Sequence, residues 1–165
     1  MNIFRKLPSY QLVVSILFVL LLASCHRNRI YNESLSFDNY KWLKSRPVIF
    51  QPEITNETVK KPLKLNLNIR YIQGFPYKFL HLRVYLTNPK GESQYRDISI
   101  QIISDETTYN GEGAGDYWDL DYTVDDQMVF EMTGKYKIQI IPFMQDDPVN
   151  FIDEIGLSLE KVNKD

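Results

Sequence analysis

Five aspartates that lie close together in the sequence form a cluster of potential metal ligands: Asp116, Asp119, Asp121, Asp125 and Asp126. Carboxylate oxygens are the ligands that Ca²⁺ prefers, so calcium binding is one interpretation of the cluster. The spacing does not match an EF-hand loop, which places its ligands at alternate positions around a glycine. We therefore interpret these aspartates as solvated residues around a strand, and we expect neither a bound metal nor another cofactor.

Histidine, a frequent general acid or base in enzymes, occurs only at His26 and His81. Neither lies in an H-E-x-x-H zinc motif, and the chain contains no G-x-S-x-G nucleophile motif and a single cysteine. These features favour a protein that is not an enzyme. Hydrolysis by an unmarked pair of carboxylates stays open as a third and less favoured alternative, because such a pair has no sequence motif.

Aromatic side chains form two groups that have the chemistry to bind a partner. One group surrounds residues 71–85 and the other flanks a glycine-rich stretch: Tyr71, Phe75, Tyr77, Phe79 and Tyr85, and then Tyr109, Tyr117, Trp118 and Tyr122. Exposed aromatics stack on sugars or anchor protein partners, whereas buried ones pack between strands. Packing is the more common role. We select Tyr109, Tyr117 and Trp118 as candidate interface residues.

The glycine-rich stretch itself, Asn110 to Asp116, contains three glycines, at positions 111, 113 and 115. Glycines contribute no side chains for binding, but they permit backbone angles that other residues resist. We expect a surface loop whose conformation matters, with Gly113→Ala destabilising the fold only if the φ angle of Gly113 is positive. Trp118 directly follows a tyrosine at the start of a strand, and we expect its ring to pack more than to bind.

Cys25, the only cysteine, ends a leader-like segment and has the context of a lipidated residue. Arg5 and Lys6 form a positive n-region, and residues 12–22 form an apolar stretch of signal-peptide length. The sequence Leu-Ala-Ser-Cys at 22–25 then resembles the bacterial lipobox. We predict a lipoprotein signal peptide at 1–24, a lipidated tether at 25–29 and one domain at 30–165. Acyl chains such as palmitate on Cys25 would anchor the protein to a membrane without a spanning helix.

The residues after Cys25 bear on which membrane that is. An aspartate directly after the lipidated cysteine resembles an inner-membrane retention signal, and this chain has His26 there. The acidic run that resembles the surface-export signal of Bacteroidota lipoproteins is also absent. By this resemblance the expected location is the outer membrane, facing the periplasm.

The charge of the chain excludes some partners. Removal of Arg5 and Lys6 with the leader leaves 17 of the 19 basic residues against 21 acidic ones, a net charge of −4. This mild acidity gives no reason to expect nucleic-acid binding, which needs a basic surface. Taken over the whole mature chain, it also gives no electrostatic attraction to anionic lipid.

The strongest structural pattern lies between Leu63 and Leu86. Residues 63–71 alternate strictly between apolar and polar, and residues 80–86 repeat the alternation after a connection that contains Gly74 and Pro76. Period-two alternation is typical of strands with one buried and one solvated face. We predict that these two strands pair directly as antiparallel neighbours at the centre of a sheet.

Further short strands separated by turns follow the same pattern along the chain, at about 30–37, 95–104, 117–122, 128–132, 136–140 and 155–159. No long helix is indicated. Many short strands with turn signals between them are typical of antiparallel sandwiches. We therefore predict an all-β fold, an antiparallel β-sandwich or jelly-roll-like single domain.

Four segments together resemble the GldH gliding-motility lipoprotein family of Bacteroidota: the lipobox at Cys25, residues 68–86, residues 110–122, and the tail segments 134–140 and 152–162. One departure is that Met144 is followed by Gln145 where that family has a Met-Arg pair. The resemblance implies a non-enzymatic lipoprotein that contributes to a gliding or secretion assembly by contacts with other envelope proteins. The alternative is a glycan-binding lipoprotein of the jelly-roll type that uses exposed aromatics.

Overall fold

The computed structural model describes residues 28–105 and 108–162, so the predictions on the leader and on Cys25 lie outside the described residues. The described chain is all-β, with a short 3₁₀ turn at Asp38–Tyr40. Its strands are β1 Arg29–Ser36, β2 Lys41–Trp42, β3 Val48–Phe50, β4 Glu53–Ile54, β5 Pro62–Ile72, β6 Phe79–Thr87, β7 Ser93–Gln101, β8 Glu112–Ala114, β9 Tyr117–Val129, β10 Gly134–Lys135, β11 Lys137–Pro142, β12 Val149–Asn150 and β13 Ile152–Lys161. Within this part of the chain, no helix has the length and apolarity needed to cross a bilayer.

Two antiparallel sheets form the sandwich. The five-stranded sheet has the order β1-β13-β5-β9-β8, and the four-stranded sheet has the order β3-β11-β6-β7. The remaining strands form two separate two-stranded sheets, β10-β4 and β12-β2. The apolar face of each sheet is buried against the other, and the predicted β-sandwich is confirmed.

The buried and solvated faces of the two central strands are as predicted. Leu67 and Leu82 are fully buried, Leu65 and Val84 nearly so. Asn66, Asn68 and Arg83 alternate with them and lie on the outer faces. This agreement follows from the period of two, which fixes which side chains share a face once a strand forms.

The predicted direct pairing of the two central strands is wrong. β5 pairs with β13 and β9 in one sheet, whereas β6 pairs with β11 and β7 in the other. Leu65 of β5 and Val84 of β6 instead line the same space between the sheets. The connection contains Gly74, whose φ is +101°, and it carries the chain from one sheet to the facing one. Alternation also permits this arrangement, because it specifies the buried face of a strand and not its neighbour.

The outer face of the five-stranded sheet is polar and internally hydrogen-bonded. The register places Asn32, Ser158, Asn66 and Thr123 in one row across the sheet and Ser34, Gly156, Asn68 and Asp121 in the next. Thr123 donates from its hydroxyl to the Asn66 side-chain oxygen at 3.0 Å. The Asn68 side-chain amide donates to the Asp121 carboxylate. These two bonds engage four side chains of the polar face with one another across β5 and β9.

Candidate functional site

The outer face of the four-stranded sheet differs in composition from the polar face and carries exposed apolar side chains. We define the aromatic face as Ile49, Phe79, Arg83, Tyr85, Tyr95 and Phe143. Tyr95 is 61% exposed, Phe143 57% and Ile49 43%. Apolar groups gathered on an exposed surface mark interaction sites in soluble domains. This face is therefore the strongest candidate for a binding surface in the described chain.

These residues come from β3, β6 and β7 and, for Phe143, from the position directly after β11. β3, β11, β6 and β7 place Ile49, Gln139, Tyr85 and Tyr95 in one row. The rings of Tyr85 and Tyr95 are 5.7 Å apart. Because each strand alternates, the next outward row contains Arg83 opposite Asp97. The face is thus built by long-range pairing of strands and not by any single segment.

Arg83 lies between two aromatic rings of this face. Its guanidinium carbon is 4.5 Å from the centroid of the Tyr95 ring and 4.7 Å from that of Phe143. The same guanidinium donates two hydrogen bonds to the Asp97 carboxylate, at 2.6 Å and 2.8 Å. A cation over a ring face is attracted by the negative face of the π-system. These contacts hold Tyr95, Arg83 and Phe143 in a defined arrangement.

The ion pair also changes the titration of its members. The hydrogen bond from Arg83 lowers the pKa of Asp97, and the Asp97 carboxylate raises the pKa of Arg83. Both groups therefore stay charged at neutral pH. The Arg83 side chain is only partly exposed, because Asp97 and the two rings cover the rest. A partner that binds this face therefore contacts mainly the aromatic rings around Arg83.

The candidate residues selected from the sequence lie at one end of the sandwich, near the β8–β9 turn. Tyr109 and Trp118 are half-buried, and their ring centroids are 5.4 Å apart. The Tyr109 hydroxyl accepts a hydrogen bond from the backbone N–H of Gly74 at 3.0 Å. Tyr117 is 38% exposed, and its hydroxyl is 2.9 Å from that of Tyr40. Of the three, Tyr117 is the one that offers a large surface to a partner.

Residues beneath this end tie it to the core. Tyr71 is fully buried, its hydroxyl donates to the backbone carbonyl of Asn110, and its ring lies 6.0 Å from that of Tyr109. Burial, with the nearby Tyr109, raises the pKa of Tyr71, so its hydroxyl remains protonated as a donor. Trp118 packs against the same core group, in agreement with the expectation that its ring packs.

The glycine-rich stretch is exposed, as predicted, but part of it is a strand. β8 pairs with the start of β9, with Gly113 opposite Trp118. Gly113 does not have a positive φ, and a Cβ at this position would meet the Trp118 ring at 3.2 Å. The condition for destabilisation by Gly113→Ala, a positive φ, is therefore not met. Gly111 does have a positive φ, +111°, and a Cβ there would lie 2.3 Å from the Asp119 carbonyl oxygen.

Gly111→Ala is expected to destabilise the protein by about 1–3 kcal/mol, the range for a residue forced into a sparsely populated backbone conformation. The matched control is Gly115→Ala, because Gly115 has a φ of +64° but open space around its Cα. It should cost less, about 1 kcal/mol. Urea unfolding followed by circular dichroism measures both. Equal losses would show that the backbone angle alone, and not the close approach to Asp119, governs this turn.

The aspartate cluster is divided among separate partners. Asp119 accepts two hydrogen bonds from Arg70, at 2.7 Å and 2.9 Å, and Asp121 pairs with Asn68. Asp125 is 3.4 Å from Arg96. Within the described residues, no group of three or more His, Cys, Asp or Glu side chains is placed to hold a metal ion. Asp119, Asp121 and Asp125 thus each pair with a side chain of another strand at the surface.

His81 lies on the outer side of β6 and is exposed. Its ring centroid is 6.2 Å from that of Phe79, at an interplanar angle of 29°. His81 thus lies within the aromatic face, beside Phe79.

Sequence reasoning missed the aromatic face. Alternation did assign His81, Arg83 and Tyr85 to the solvated side of β6. Nothing in the linear sequence indicates that Tyr95 lies opposite Tyr85 or that Phe143 lies beside Arg83. The usable signal was the presence of aromatic residues on strand positions predicted to be solvated.

Comparison with known proteins identifies the family. The family model described as GldH lipoprotein matches residues 29–159. The chain belongs to the GldH lipoprotein family. A curated relative from Christiangramia forsetii, described as a gliding motility lipoprotein GldH homolog, is 27% identical over 93% of this chain and 96% of its own length. The residues matched by the family model include every strand that contributes to the aromatic face.

Solved structures give only remote likenesses. The infectious bursal disease virus VP2 subviral particle matches with a TM-score of 0.43 and 13% identity, over 82% of this chain and 33% of that one. The Gx strain of the same virus matches with a TM-score of 0.38 and 11% identity, over 79% and 30%. The chain spans about a third of the length of these viral proteins, and likenesses of this size carry no weight for its function.

Proposed function

We propose that this protein is a non-enzymatic lipoprotein anchored through acyl chains on Cys25 to the periplasmic face of the outer membrane. Its membership of a lipoprotein family supports an anchor. Cys25 is the only cysteine and ends the Leu-Ala-Ser-Cys motif, which supports that residue as the attachment site. Residues 1–24 are removed as a signal peptide in this proposal, and residues 25–29 form the tether to the domain.

The anchored domain acts by binding another envelope protein in a gliding or secretion assembly. The observation that supports this is the aromatic face, with Tyr95 and Phe143 mostly exposed on either side of Arg83. Tyrosine and arginine are enriched among the residues that dominate protein interfaces. On the polar face of the other sheet, Asn68 pairs with Asp121 and Asn66 with Thr123, so these side chains are already engaged within the sheet.

Tyr117 provides a second, smaller contact at the end of the sandwich. Tyr109 and Trp118 support that contact from below, since both rings pack on the core. In this arrangement the partner covers mainly the aromatic face, and the edge selected from the sequence extends the contact area.

Glycan binding is the alternative function, because exposed aromatic rings also stack on sugars. The position of Arg83 favours a protein partner. Its guanidinium already covers one face of each of the Tyr95 and Phe143 rings, which leaves less ring surface for a stacked sugar.

Affinity purification of the lipidated protein from cross-linked cells, compared with binding of the same protein to a glycan array, tests this function. We expect one or more envelope proteins to be recovered and no glycan to bind. Glycan binding without a protein partner would replace the proposal with its alternative. Deletion of the gene should reduce surface spreading or protein secretion, and wild-type levels of both would contradict a role in such an assembly.

Cys25→Ser is expected to move the protein from the membrane fraction to the soluble periplasmic fraction, because the acyl chains supply the membrane affinity. Mass spectrometry of the wild-type protein should show a diacylglyceryl group on an N-terminal Cys25. Ser24→Ala is the matched control, since alanine is also a small residue before the cysteine and should leave lipidation intact. A Cys25→Ser protein that stays membrane-bound in unchanged amount would contradict the proposed anchor.

A further inference from the structure

The start of the described chain lies at one end of the sandwich. The backbone carbonyl of Asn28 accepts a hydrogen bond from the N–H of Lys161 at 2.8 Å, beside the end of β13. β5 begins beside this end, because Lys161 is opposite Leu63. Only three residue steps separate Asn28 from Cys25, and an extended chain covers at most about 11 Å in three steps. A lipid on Cys25 therefore keeps this end of the sandwich next to the headgroups.

Three lysines, Lys60, Lys61 and Lys161, lie at this same end, which we call the basic end. All three line a groove of about 700 Å³. Among the described residues that line this groove, Glu57 is the acidic one. All three lysines are exposed, and none forms an ion pair with the described residues. The nearby Glu160 is paired with Arg29 at 3.1 Å. The positive charge of this basic end is consequently free to meet an anion.

The turn that carries two of these lysines is held firmly. Thr58 is nearly buried, and its backbone N–H and that of Val59 both donate to the Thr55 carbonyl, at 3.1 Å and 2.9 Å. Lys60 has a φ of +57°, which is unusual for a residue with a side chain, and its N–H donates to the Phe130 carbonyl at 2.9 Å. Such a backbone conformation persists only where the surroundings stabilise it. Both lysines are thus presented by a defined turn.

We propose that this basic end docks on the membrane surface, with the ammonium groups of Lys60, Lys61 and Lys161 against the phosphates of anionic lipid headgroups. The proposal rests on the lipidation of Cys25 in the proposed function. Each lysine near an anionic membrane surface strengthens attraction by about fivefold, an effect that is confined to the Debye length. The short tether keeps the lysines inside that range. The positive charge of these three lysines thus attracts an anionic surface locally, although the mature chain as a whole is acidic.

Docking fixes the orientation of the molecule. β5 runs away from the basic end for eleven residues, about 33 Å at the usual rise of a strand. The opposite end, with Tyr117 and the β8–β9 turn, then points into the periplasm. The aromatic face stands upright on the membrane, where a neighbouring envelope protein can reach it from the side.

Energy transfer in reconstituted vesicles tests the docking. Lipidated full-length mature protein is labelled at a new single thiol, either Glu57→Cys at the basic end or Glu112→Cys at the far end, since Cys25 is blocked by its lipid. The vesicles contain phosphatidylglycerol and an acceptor dye on the headgroups. We expect transfer from position 57 to exceed that from position 112 by about twofold or more, because the two ends are about 33 Å apart.

Charge reversal separates docking from simple tethering. In Lys60→Glu/Lys61→Glu/Lys161→Glu protein, the difference in energy transfer between the labels at positions 57 and 112 should fall by at least half. Added salt should reduce the same difference in protein that keeps its lysines. The matched control, Lys41→Glu/Arg46→Glu/Lys78→Glu, changes the same charge on exposed residues at the far end and should keep the difference. Equal transfer from both labels, or no response to reversal at the basic end, would overturn the docking while leaving lipidation intact. Absence of the diacylglyceryl group would overturn the anchor and the docking together.

Discussion

Replacing Leu67 with alanine is expected to lower the free energy of unfolding by about 2–5 kcal/mol, the usual range for truncating a buried leucine. Leu67 is fully buried on β5, the middle strand of the five-stranded sheet, with a neighbouring strand on each side. A cavity left at this position is surrounded by the core of both sheets, so little can move in to fill it. Urea denaturation with matched m-values measures the loss.

Asn66→Ala is the control for this measurement, because it lies next to Leu67 on the same strand but faces outward. Its side chain accepts one hydrogen bond, from Thr123 at 3.0 Å. Loss of that bond should cost about 0.5–1.5 kcal/mol. Losses of equal size for the two variants would show that both faces of β5 are buried and would contradict the sandwich as described.

Tyr95→Ala and Phe143→Ala are each expected to weaken binding of the recovered envelope partner by about 30-fold or more, which corresponds to about 2 kcal/mol for a central interface residue. Both rings are mostly exposed, so truncating them removes little of the core. Thermal unfolding should therefore remain close to that of the unaltered protein. Titration of the purified partner by biolayer interferometry measures the affinity.

Tyr117→Ala is the matched comparison, since it removes the same side chain from the end of the sandwich. Tyr117 is less exposed than Tyr95, 38% against 61%, and we expect its loss to weaken binding by about threefold. A larger effect at Tyr117 than at Tyr95 would place the main contact at the edge selected from the sequence. Unchanged affinity in all three variants would contradict the aromatic face as the binding surface.

The outcome at Trp118 shows how far local sequence reasoning reaches into a site. A tryptophan at the start of an alternating segment is expected to pack, and Trp118 does pack against the hydrophobic core. The contact of its ring with Gly113 is not predictable from local sequence, because it depends on the pairing of β8 with β9. The same pairing leaves Gly113 without a positive φ and brings Gly111, whose φ is +111°, close to the backbone of Asp119.

The sequence by itself determined the two central strands, their buried faces and the fold class, but it divided β9 into two segments, at 117–122 and 128–132, and missed β8. Alternation along residues 63–71 and 80–86 is a local property, since successive side chains of a strand must point to opposite sides. Burial of Leu65, Leu67, Leu82 and Val84 follows directly from it. The proposals of a leader at 1–24 and of lipidation at Cys25 likewise rest on local composition.

Only the tertiary structure decided which strands are neighbours. β5 and β6 are adjacent in sequence with matching patterns, yet they face each other across the core because their connection crosses between the sheets. Tyr85 meets Tyr95, and Arg83 meets Phe143, through the register of strands that are distant in the chain. Strand patterning is compatible with many partners, and the choice among them is made by the packing of the whole domain. The aromatic face is a product of that choice.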